Sequence, residues 1–302
     1  MKVLVSGSTG LVGEALVEEL RVRNHHVTRL ERRRRTGEPS ITWDPAAGKI
    51  NPKELEGFDA VVNLSGENIA SGRWTPLRKR RIKESRLQTT QLLSDTFSRL
   101  DNPPKVFISA SAVGYYGNRP GEKLSEVSSS GQGFLADVCR AWEDAANAAR
   151  SVGTRVVNYR FGVVLSGKGG ALKAMYWPFQ LGLAGNLSIN GKQHMPWVSL
   201  DDAVGGIVHC LEHPISGPVN AVAPQSTTNA KFTDTLRRHL IPAFLPMHYW
   251  TPPAPAPLVQ LVLGEMGKEL LLADMDVKPV RLEETGYRFK YPDLKSTFSH
   301  VL

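Results

Sequence analysis

Residues 2–23 read KVLVSGSTGLVGEALVEELRVR, and this stretch decides the fold. A short apolar strand runs into three glycines, Gly7, Gly10 and Gly13, and then into a segment (11–23) whose apolar residues recur with helical spacing. Glycines in this context permit a tight turn, let the backbone approach a pyrophosphate and let the helix pack closely on the strand. Because the amides that open such a helix face an anion, the stretch predicts a dinucleotide-binding strand–turn–helix.

Strand and helix signals alternate along the first 160 residues. Short apolar runs that end at small residues indicate strands, and longer segments with apolar residues three and four apart indicate helices. Alternation at this spacing predicts an α/β fold of the Rossmann type, a doubly wound parallel sheet covered by helices on both faces. After the opening unit, strands are expected at 26–30, 59–66, 105–111 and 154–162, and helices at 76–100 and 134–153.

The character of the sequence changes after residue 160, where glycine and proline become frequent and the strand–helix alternation weakens. We therefore expect a dinucleotide-binding Rossmann domain over 1–160, with returning segments near 200–223. Residues 161–302 are expected to form a smaller substrate or lid region. Its C-terminal α/β domain, about 250–302, begins at the proline-rich stretch TPPAPAP (251–257).

Composition excludes several classes of protein. Hydrophobic residues make up 41% of the chain and charged residues 22%, which is typical of a globular protein. The sequence has no run of about 18 apolar residues, so we expect no membrane partner. The two cysteines, Cys139 and Cys210, do not make a disulfide framework, which favours a reducing, cytoplasmic compartment.

The net charge of +8 would attract a polyanion of some kind. Local arginine clusters carry much of this charge, but they lack the interleaved aromatic residues or the recognisable module of a nucleic-acid-binding protein. We therefore expect a small-molecule substrate and no nucleic-acid partner. A homodimer is compatible with the sequence, which does not fix the oligomeric state.

The end of the second strand bears on the choice of cofactor. Glu31 and Arg32 lie about twenty residues beyond the glycines, where a carboxylate holds the ribose hydroxyls of NAD and an arginine holds the 2′-phosphate of NADP. Both residue types are present, so this position is ambiguous. Guanidinium binds phosphate bidentately and three more arginines follow, so we expect NADP(H) rather than NAD(H). The expected backbone contacts to the adenosine half, after the next strand, are Leu64, Ser65 and Gly66.

Several longer motifs carry a more specific resemblance. They are VNLSGENI (62–69), KRRIKESRLQTT (79–90), SASAVGYYG (109–117), RFGVVLSGKGGAL (160–172), PWVSLDDAVG (196–205) and GYRFKYPDL (286–294). Together with the GxxGxxG spacing of the glycines, they resemble the epimerase-like atypical short-chain dehydrogenase/reductases of the SDR39U1/YfcH type, within the NAD-dependent epimerase/dehydratase superfamily. The resemblance covers nearly the whole chain and implies a Rossmann domain that binds NADP, with a family-specific C-terminal domain.

The resemblance also implies where the cofactor lies. The implied contacts are Thr9, Gly10, Leu11 and Val12 at the pyrophosphate, Glu31 and Arg32 at the adenosine ribose, Leu64 and Ser65 at the adenine side, and Arg86 reaching toward the cofactor. Arg86 is also compatible with an ordinary arginine on a helix surface.

The catalytic pair of such enzymes is not matched. Working short-chain reductases use a Tyr-x-x-x-Lys pair on the helix after the serine-bearing strand, where the tyrosine gives or takes the proton that accompanies hydride transfer. In this chain Leu135 stands at the tyrosine position and Cys139 at the lysine position. A literal match, Tyr291 to Lys295, lies near the C-terminus, and we interpret it as a coincidence.

The motif SASAVGYYG supplies the remaining catalytic candidates. Ser111 and Tyr116 occupy the place where the family's serine and strand-end tyrosine stand over the nicotinamide. They could orient a carbonyl and donate a proton, with Tyr115 as an alternative donor, or they could simply line a pocket. No metal site is expected, because His209 and His213 lack a third ligand signal.

Two functions therefore remain open. One is an NADP-dependent oxidoreductase or epimerase acting on a small molecule, with nucleotide sugars among the candidates, and the full-length lid region favours it. The other is a cofactor-binding regulator or scaffold without turnover, which the absence of the tyrosine and the lysine favours.

Overall fold

The computed structural model describes residues 1–33, 37–181, 185–188, 190–249 and 256–302. The described strands are β1 Lys2–Ser6, β2 His26–Glu31, β3 Ser40–Thr42, β4 Ala60–Asn63, β5 Val106–Ala112, β6 Lys123–Leu124, β7 Arg155–Phe161, β8 Val163–Leu165, β9 Trp197–Ser199, β10 Gly217–Ala221 and β11 Asp276–Val277. Seven of them form one sheet in the order β10-β7-β5-β4-β1-β2-β3, and every pairing in it is parallel.

Helices connect the strands and cover the sheet. They are α1 Leu11–Val22, α2 Pro76–Phe97, α3 Phe134–Asn147, α4 Gly170–Gln180, α5 Leu200–Glu212, α6 Asn229–Leu240, α7 Ala256–Leu263, α8 Glu265–Leu270, α9 Val280–Glu284 and α10 Leu294–Val301. None of these described helices is long and apolar enough to cross a bilayer.

Apolar side chains cover both faces of the large sheet. On one face, residues of α1 and α5 such as Leu16 and Ile207 pack against the sheet residues Val5 and Val62. On the other face, α2 and α3 contribute a second cluster that includes Phe97. Two buried faces explain why the strands read as continuous apolar runs rather than as alternating ones. The predicted doubly wound Rossmann sheet is therefore confirmed.

The strand order also locates the ligand crevice. From β1 the chain moves outward to β2 and β3, and it then crosses back to place β4 on the other side of β1. In open parallel sheets, ligands bind at the carboxyl ends of the strands where the winding direction reverses. The crevice is therefore expected at the carboxyl ends of β1 and β4.

The elements differ from the sequence-based expectation in a few places. The short strand β3 and the helices α4 and α6 were not predicted, because three residues of strand give little periodicity and glycine or proline interrupts the α4 region. The helix expected over 134–153 ends as an α-helix at Asn147 and continues as a 3₁₀ turn to Val152. The returning segments expected near 200–223 include α5 and β10, and β10 lies at the edge of the sheet.

The C-terminal region packs against the start of α3. β11 pairs with β6, and the carboxylate of Glu269 in α8 accepts hydrogen bonds from the Phe134 and Leu135 amides at 2.9 and 2.8 Å. Those amides open α3, so Glu269 caps this helix from the C-terminal region. Of the proline-rich stretch, residues 251–255 lie outside the described residues, and residues 256 and 257 begin α7.

Candidate functional site

The glycine loop packs too closely for side chains at two positions. Gly7 has φ +68°, and a Cβ there would lie 2.6 Å from the Leu64 carbonyl carbon. A Cβ on Gly13 would lie 2.2 Å from the Gly7 oxygen, so α1 approaches β1 as closely as only glycine permits. A Cβ on Gly10 would meet only the Gly7 oxygen, at 3.4 Å, so Gly10 has room on its open side.

The N-terminus of α1 lacks a side-chain cap. Its N-cap residue is Gly10, and among the described residues no side-chain cap hydrogen bond is made there. In contrast, Thr75, Ser199 and Thr228 cap the helices α2, α5 and α6 with their hydroxyls. The first amides of α1 therefore remain available at the positive end of the helix dipole, which is an arrangement that binds a phosphate group.

A cleft of about 980 Å³ opens in front of this helix end. Eight of the predicted cofactor contacts line it, namely Gly7, Thr9, Gly10, Glu31, Arg32, Leu64, Ser65 and Gly66. Leu11 and Val12 follow in the first turn of α1, where their side chains pack partly buried against the core. Any contact from these two residues to a ligand would therefore come from their backbone amides, and Gly13 allows the close packing behind them.

The end of β2 carries the charged side of the cleft. The buried Arg29 donates to the Ser8 carbonyl at 2.7 Å and to Glu38 at 2.5 Å, which ties the glycine loop to β2. Ser8 donates in turn to Glu31 at 3.3 Å. Arg32 and Arg33 are exposed and line the cleft, and residues 34–36 lie outside the described residues. A carboxylate and a cation thus stand side by side at the place where a ribose and its 2′-phosphate would bind.

Several lining residues were missed by sequence reasoning. They are Trp43, Asp44, Pro45 and Ala46 after β3, Glu67 after β4, and Ser85, Gln88 and Thr89 on α2. The one usable signal was the turn WDPAAG, in which Asp44 accepts hydrogen bonds from the amides of Ala46 and Ala47 at 3.1 and 3.2 Å. The α2 residues gave no signal, because a helix position becomes a pocket wall only through tertiary packing.

Arg86 lies behind the cleft wall. Its guanidinium donates to the carbonyls of Ile82 and Glu67 at 2.9 and 3.1 Å and lies 5.0 Å from the Trp142 ring. A Cβ on Gly66 would lie 3.3 Å from the Arg86 Cζ. Burial lowers the pKa of this guanidinium. Arg86 therefore fixes the backbone at 66–67, and its expected contact with the cofactor stays a prediction.

The helix position of the usual catalytic pair is apolar. Leu135 is buried and packs against Gly114, whose Cβ would lie 3.1 Å from the Leu135 Cβ. Cys139 is buried as well, and desolvation raises the pKa of its thiol to about 11. Neither side chain can exchange a proton with a substrate near neutral pH.

Ser111 belongs to a buried ionic network. Its hydroxyl donates to Glu143 at 2.7 Å, and Glu143 also accepts two hydrogen bonds from Arg160, each 2.7 Å long. The charged side chains of this pair are 8% and 3% exposed. A buried ion pair is stable only when hydrogen bonds compensate for the loss of water around its charged atoms. The Ser111 hydroxyl supplies one of these hydrogen bonds to Glu143.

Tyr116 is fully buried in the same network. Its hydroxyl lies 2.7 Å from the Asn220 side-chain oxygen and accepts a hydrogen bond from Arg160 at 2.9 Å. Burial raises the pKa of this phenol to about 12. The expectation that Ser111 and Tyr116 are catalytic stays a prediction, and the structure assigns both hydroxyls to internal partners.

Tyr115 is less buried than its neighbour Tyr116. The Arg160 guanidinium lies 3.6 Å from the centre of its ring, and the side chain is only half-buried. Within the part of the chain that the structure describes, the Tyr115 hydroxyl makes no hydrogen bond. Of the polar groups named for catalysis, it is therefore the one that remains available to a ligand.

The literal Tyr-x-x-x-Lys match lies elsewhere. The Tyr291 amide donates to Asp202 at 2.9 Å, and its ring stacks on His300 at 4.4 Å, next to α5 and α10. The rings of His209 and His213, at the end of α5, lie tilted to each other with their centroids 3.9 Å apart. Across the described residues, no group of three or more histidine, cysteine or acidic side chains could hold a metal ion.

Comparison with known proteins agrees with this geometry. The family model described as the NAD dependent epimerase/dehydratase family matches residues 3–223. The chain belongs to this family. A second model, a domain of unknown function (DUF1731), matches residues 254–301. The resemblance that the motifs indicated is therefore confirmed.

Relatives of this epimerase-family chain are similar over their full length. Epimerase family protein MT2273 of Mycobacterium tuberculosis is 39% identical over 293 residues, which are 96% of this chain and 93% of that protein. Human epimerase family protein SDR39U1 is 37% identical over 307 residues, the whole of both chains.

Solved structures extend the comparison. Human SDR39U1 (isoform 2), crystallised with NADPH, matches with a TM-score of 0.87 and 36% identity over 100% of this chain and 99% of that one. A nucleoside-diphosphate sugar epimerase from Corynebacterium glutamicum matches with a TM-score of 0.80 and 33% identity, and the match spans 58% of that longer chain. UDP-glucose 4-epimerase from Thermotoga maritima, at 15% identity and a TM-score of 0.77, shares the fold.

Proposed function

We propose that this chain binds NADP(H) and uses it for oxidoreduction or epimerisation of a small molecule. The observation that carries the proposal is the uncapped N-terminus of α1 opening into a cleft that Arg32 lines at its far end. The glycine backbone, which Gly7 and Gly13 hold close to β4 and α1, fits a pyrophosphate. The human SDR39U1 structure, which contains NADPH, supports NADP(H) over NAD(H).

Different residues of the chain would bind different parts of the cofactor. The first amides of α1 would hold the pyrophosphate, Arg32 would bind the 2′-phosphate, and residues 64–66 would border the adenosine. When bound, the cofactor supplies a hydride that a substrate carbon can accept or return. Ser111 and Tyr116, bound to Glu143 and Arg160, would support the site from behind. Tyr115 would present its ring and hydroxyl to the ligand.

The substrate class is inferred from the chemistry of the cofactor. Oxidation or epimerisation at a carbon that carries a hydroxyl is the chemistry that such a cofactor permits, so the substrate is an alcohol or a carbonyl compound. The Corynebacterium structure described as a nucleoside-diphosphate sugar epimerase supports nucleotide sugars as the first candidates. A cytoplasmic protein with a small-molecule substrate would fit this chemistry.

A second function has a specific observation in its favour. Leu135 and Cys139 replace the proton-transfer pair, and both are buried. A chain that binds NADPH and changes its interactions with other proteins, without turnover, would need no such pair.

One experiment separates the two functions. Calorimetric titration of the full chain with NADPH and with NADH measures binding, and the nicotinamide absorbance then reports oxidation of NADPH by a panel of carbonyl compounds that includes 4-keto nucleotide sugars. Binding with turnover supports the enzyme, and binding without turnover on every compound supports the regulator. An absence of binding heat with either coenzyme would overturn the whole proposal.

A further inference from the structure

The reaction half of the site needs a group that gives or takes a proton. Reduction of a carbonyl delivers a hydride to carbon and requires a proton at oxygen. Leu135 and Cys139 cannot supply it, and the hydroxyls of Ser111 and Tyr116 bind internal partners. The Tyr115 hydroxyl is available to a ligand, but no hydrogen bond among the described residues fixes its orientation. A titratable group whose orientation the protein fixes would suit this proton transfer better.

His194 and Asp274 form such a pair. One carboxylate oxygen of Asp274 accepts a hydrogen bond from the His194 backbone amide at 2.8 Å and lies 2.9 Å from its ring Nδ1. Asp274 is itself fixed, because its amide donates to the Asn118 side chain at 2.8 Å and its carbonyl accepts from the Arg119 amide at 2.9 Å. The Asp274 carboxylate is thus held by the His194 backbone amide, and the Asp274 main chain is held by the Asn118 side chain and the Arg119 amide, so the carboxylate oxygen beside Nδ1 orients the imidazole ring.

This arrangement leaves the other ring nitrogen available. A carboxylate at Nδ1 places a proton there, so Nε2 carries the lone pair of the neutral ring or the second proton of the charged ring. Nε2 of His194 has no hydrogen-bond partner among the residues that the structure describes. The His194 side chain is 32% exposed, and the carboxylate of Asp274 is 21% exposed. The pair is therefore open to a ligand on the Nε2 side.

Hydrogen bonds and packing connect the pair to the segments that follow β5 and β10. Asn118, which holds Asp274, follows Tyr115 and Tyr116 by two or three positions, at the carboxyl end of β5. The neighbour of Asp274, Met275, packs in the same apolar cluster as both tyrosines. On its other side, the residue after His194 donates its amide to the Thr227 carbonyl, just beyond the carboxyl end of β10.

The direction of the cofactor places these segments opposite the adenosine. Arg32 is at the carboxyl end of β2, on one side of the glycine loop, whereas β5 and β10 lie on the other side in the sheet order. A dinucleotide that extends across the carboxyl edge from β2 brings its nicotinamide half toward β4 and β5. His194 therefore lies on the side of the sheet where a substrate would meet the nicotinamide.

We propose that His194, oriented by Asp274, contacts the substrate oxygen through Nε2 and transfers the proton that accompanies hydride transfer. The proposal rests on the proposed function and gives the C-terminal domain of residues 254–301 a part in the chemistry, since it supplies Asp274. In reduction, the carbonyl carbon accepts a hydride from the reduced nicotinamide, and the π electron pair of the C=O bond becomes the O–H bond with the Nε2 proton. The neutral imidazole then regains a proton from water, and oxidation reverses each step.

Nuclear magnetic resonance of the ¹⁵N-labelled full chain tests the placement without turnover. The ring signals of His194 are identified by their loss in His194→Gln, and those of His300 by their loss in His300→Gln. His300 is the matched control, because it also pairs with a carboxylate, that of Asp201 at 3.2 Å, but on the α5 and α10 side. We expect His194 to carry its proton on Nδ1 and its signals to shift when NADP⁺ is added, while the signals of His300 stay in place. A neutral ring protonated on Nε2, or no shift of His194 with bound NADP⁺, would overturn the proposal.

Steady-state kinetics test the proton transfer, with 9,10-phenanthrenequinone as the carbonyl probe. We expect His194→Gln to lower kcat by about 10²- to 10⁴-fold with the Kd for NADPH unchanged, as for the loss of a general acid. Asp274→Asn should lower kcat by about tenfold or more and alter its pH profile, because Asp274 acts only through the imidazole. His300→Gln should match the wild type. Equal kcat in His194→Gln and the wild type would sink the proposal.

The two proposals fail in different ways. If calorimetry detects no NADPH binding, the proposed function fails and takes this inference with it. If NADPH binds and the probe is reduced but His194→Gln retains kcat, only this inference fails. If the quinone is not a substrate, the magnetic-resonance result decides the inference by itself.

Discussion

At the carboxyl end of β1 the polar groups of the glycine loop face an open cleft, whereas at the ends of β5 and β7 the polar side chains bind one another. Within the described part of the chain, the amides at the start of α1 have no side-chain cap. Ser111, Glu143, Arg160 and Tyr116 instead form a closed network below the surface. The glycine-loop half of the crevice therefore keeps its polar groups open to a ligand, whereas the hydroxyls of Ser111 and Tyr116 are bound to internal partners.

The largest effect is expected from breaking the closed network. Glu143→Gln leaves Arg160 buried without its counter-charge, which should lower the free energy of unfolding by about 3–5 kcal/mol. Urea unfolding measures this value. Asp137→Asn on the same helix is the control, because it removes the exposed pair with Arg140 and should cost no more than about 1 kcal/mol. A loss below that of the control would mean that the network is not a structural support.

Two substitutions in the glycine loop test the open cleft, and we expect them to affect stability and NADPH affinity differently. Gly13→Ala places a Cβ 2.2 Å from the Gly7 oxygen, and we expect a loss of about 1–3 kcal/mol in stability together with a loss of NADPH affinity. Gly10→Ala has room in the free protein, so its melting temperature should match that of the wild type while its NADPH affinity falls. Calorimetry and thermal unfolding separate the two. Equal behaviour of the two variants would contradict the assignment of Gly10 to the pyrophosphate.

A smaller effect is expected at the edge of the cleft. Arg32→Ala should weaken NADPH binding by about tenfold, the loss of one charge-assisted contact to phosphate, and leave NADH binding unchanged. Arg33→Ala is the matched neighbour, since it is exposed in the same cleft and should weaken NADPH binding less. Parallel titrations with NADPH and NADH give the comparison. If Arg32→Ala leaves both affinities unchanged, the 2′-phosphate is bound elsewhere.

The comparison between the glycine-loop cleft and the buried network also explains which parts of the site the sequence could predict. The glycine loop and the end of β2 are local: strand, turn and helix follow one another, so Gly7, Gly10, Glu31 and Arg32 could be placed from spacing alone. The absence of the catalytic pair at Leu135 and Cys139 was equally visible.

What the sequence did not disclose depends on contacts between distant segments. Glu143 lies 32 positions from Ser111, and Asn220 and Arg160 lie 104 and 44 positions from Tyr116, so these hydrogen bonds were visible only in the fold. His194 and Asp274 are 80 positions apart, and neither stands in a motif that indicates acid–base chemistry. Sequence spacing predicts a site when its residues are close together in the chain. A site built from distant segments becomes visible only in the tertiary structure.

The last expected effect concerns the buried thiol of Cys139, at the position where short-chain reductases usually carry a lysine. Burial raises the pKa of Cys139 to about 11 in the folded protein, from an ordinary value of 9.0. Between these values the unfolded chain loses the thiol proton while the folded chain keeps it, so the free energy of unfolding falls as the pH rises through this window. Cys139→Ser removes the titration, and its stability relative to the wild type should therefore improve from pH 8 to about pH 10.5, as urea unfolding at each pH would measure. If the free energies of unfolding of the two proteins differ by the same amount across that window, the pKa of the Cys139 thiol is not raised by folding. Water would then reach the surroundings of Cys139 more than its burial indicates.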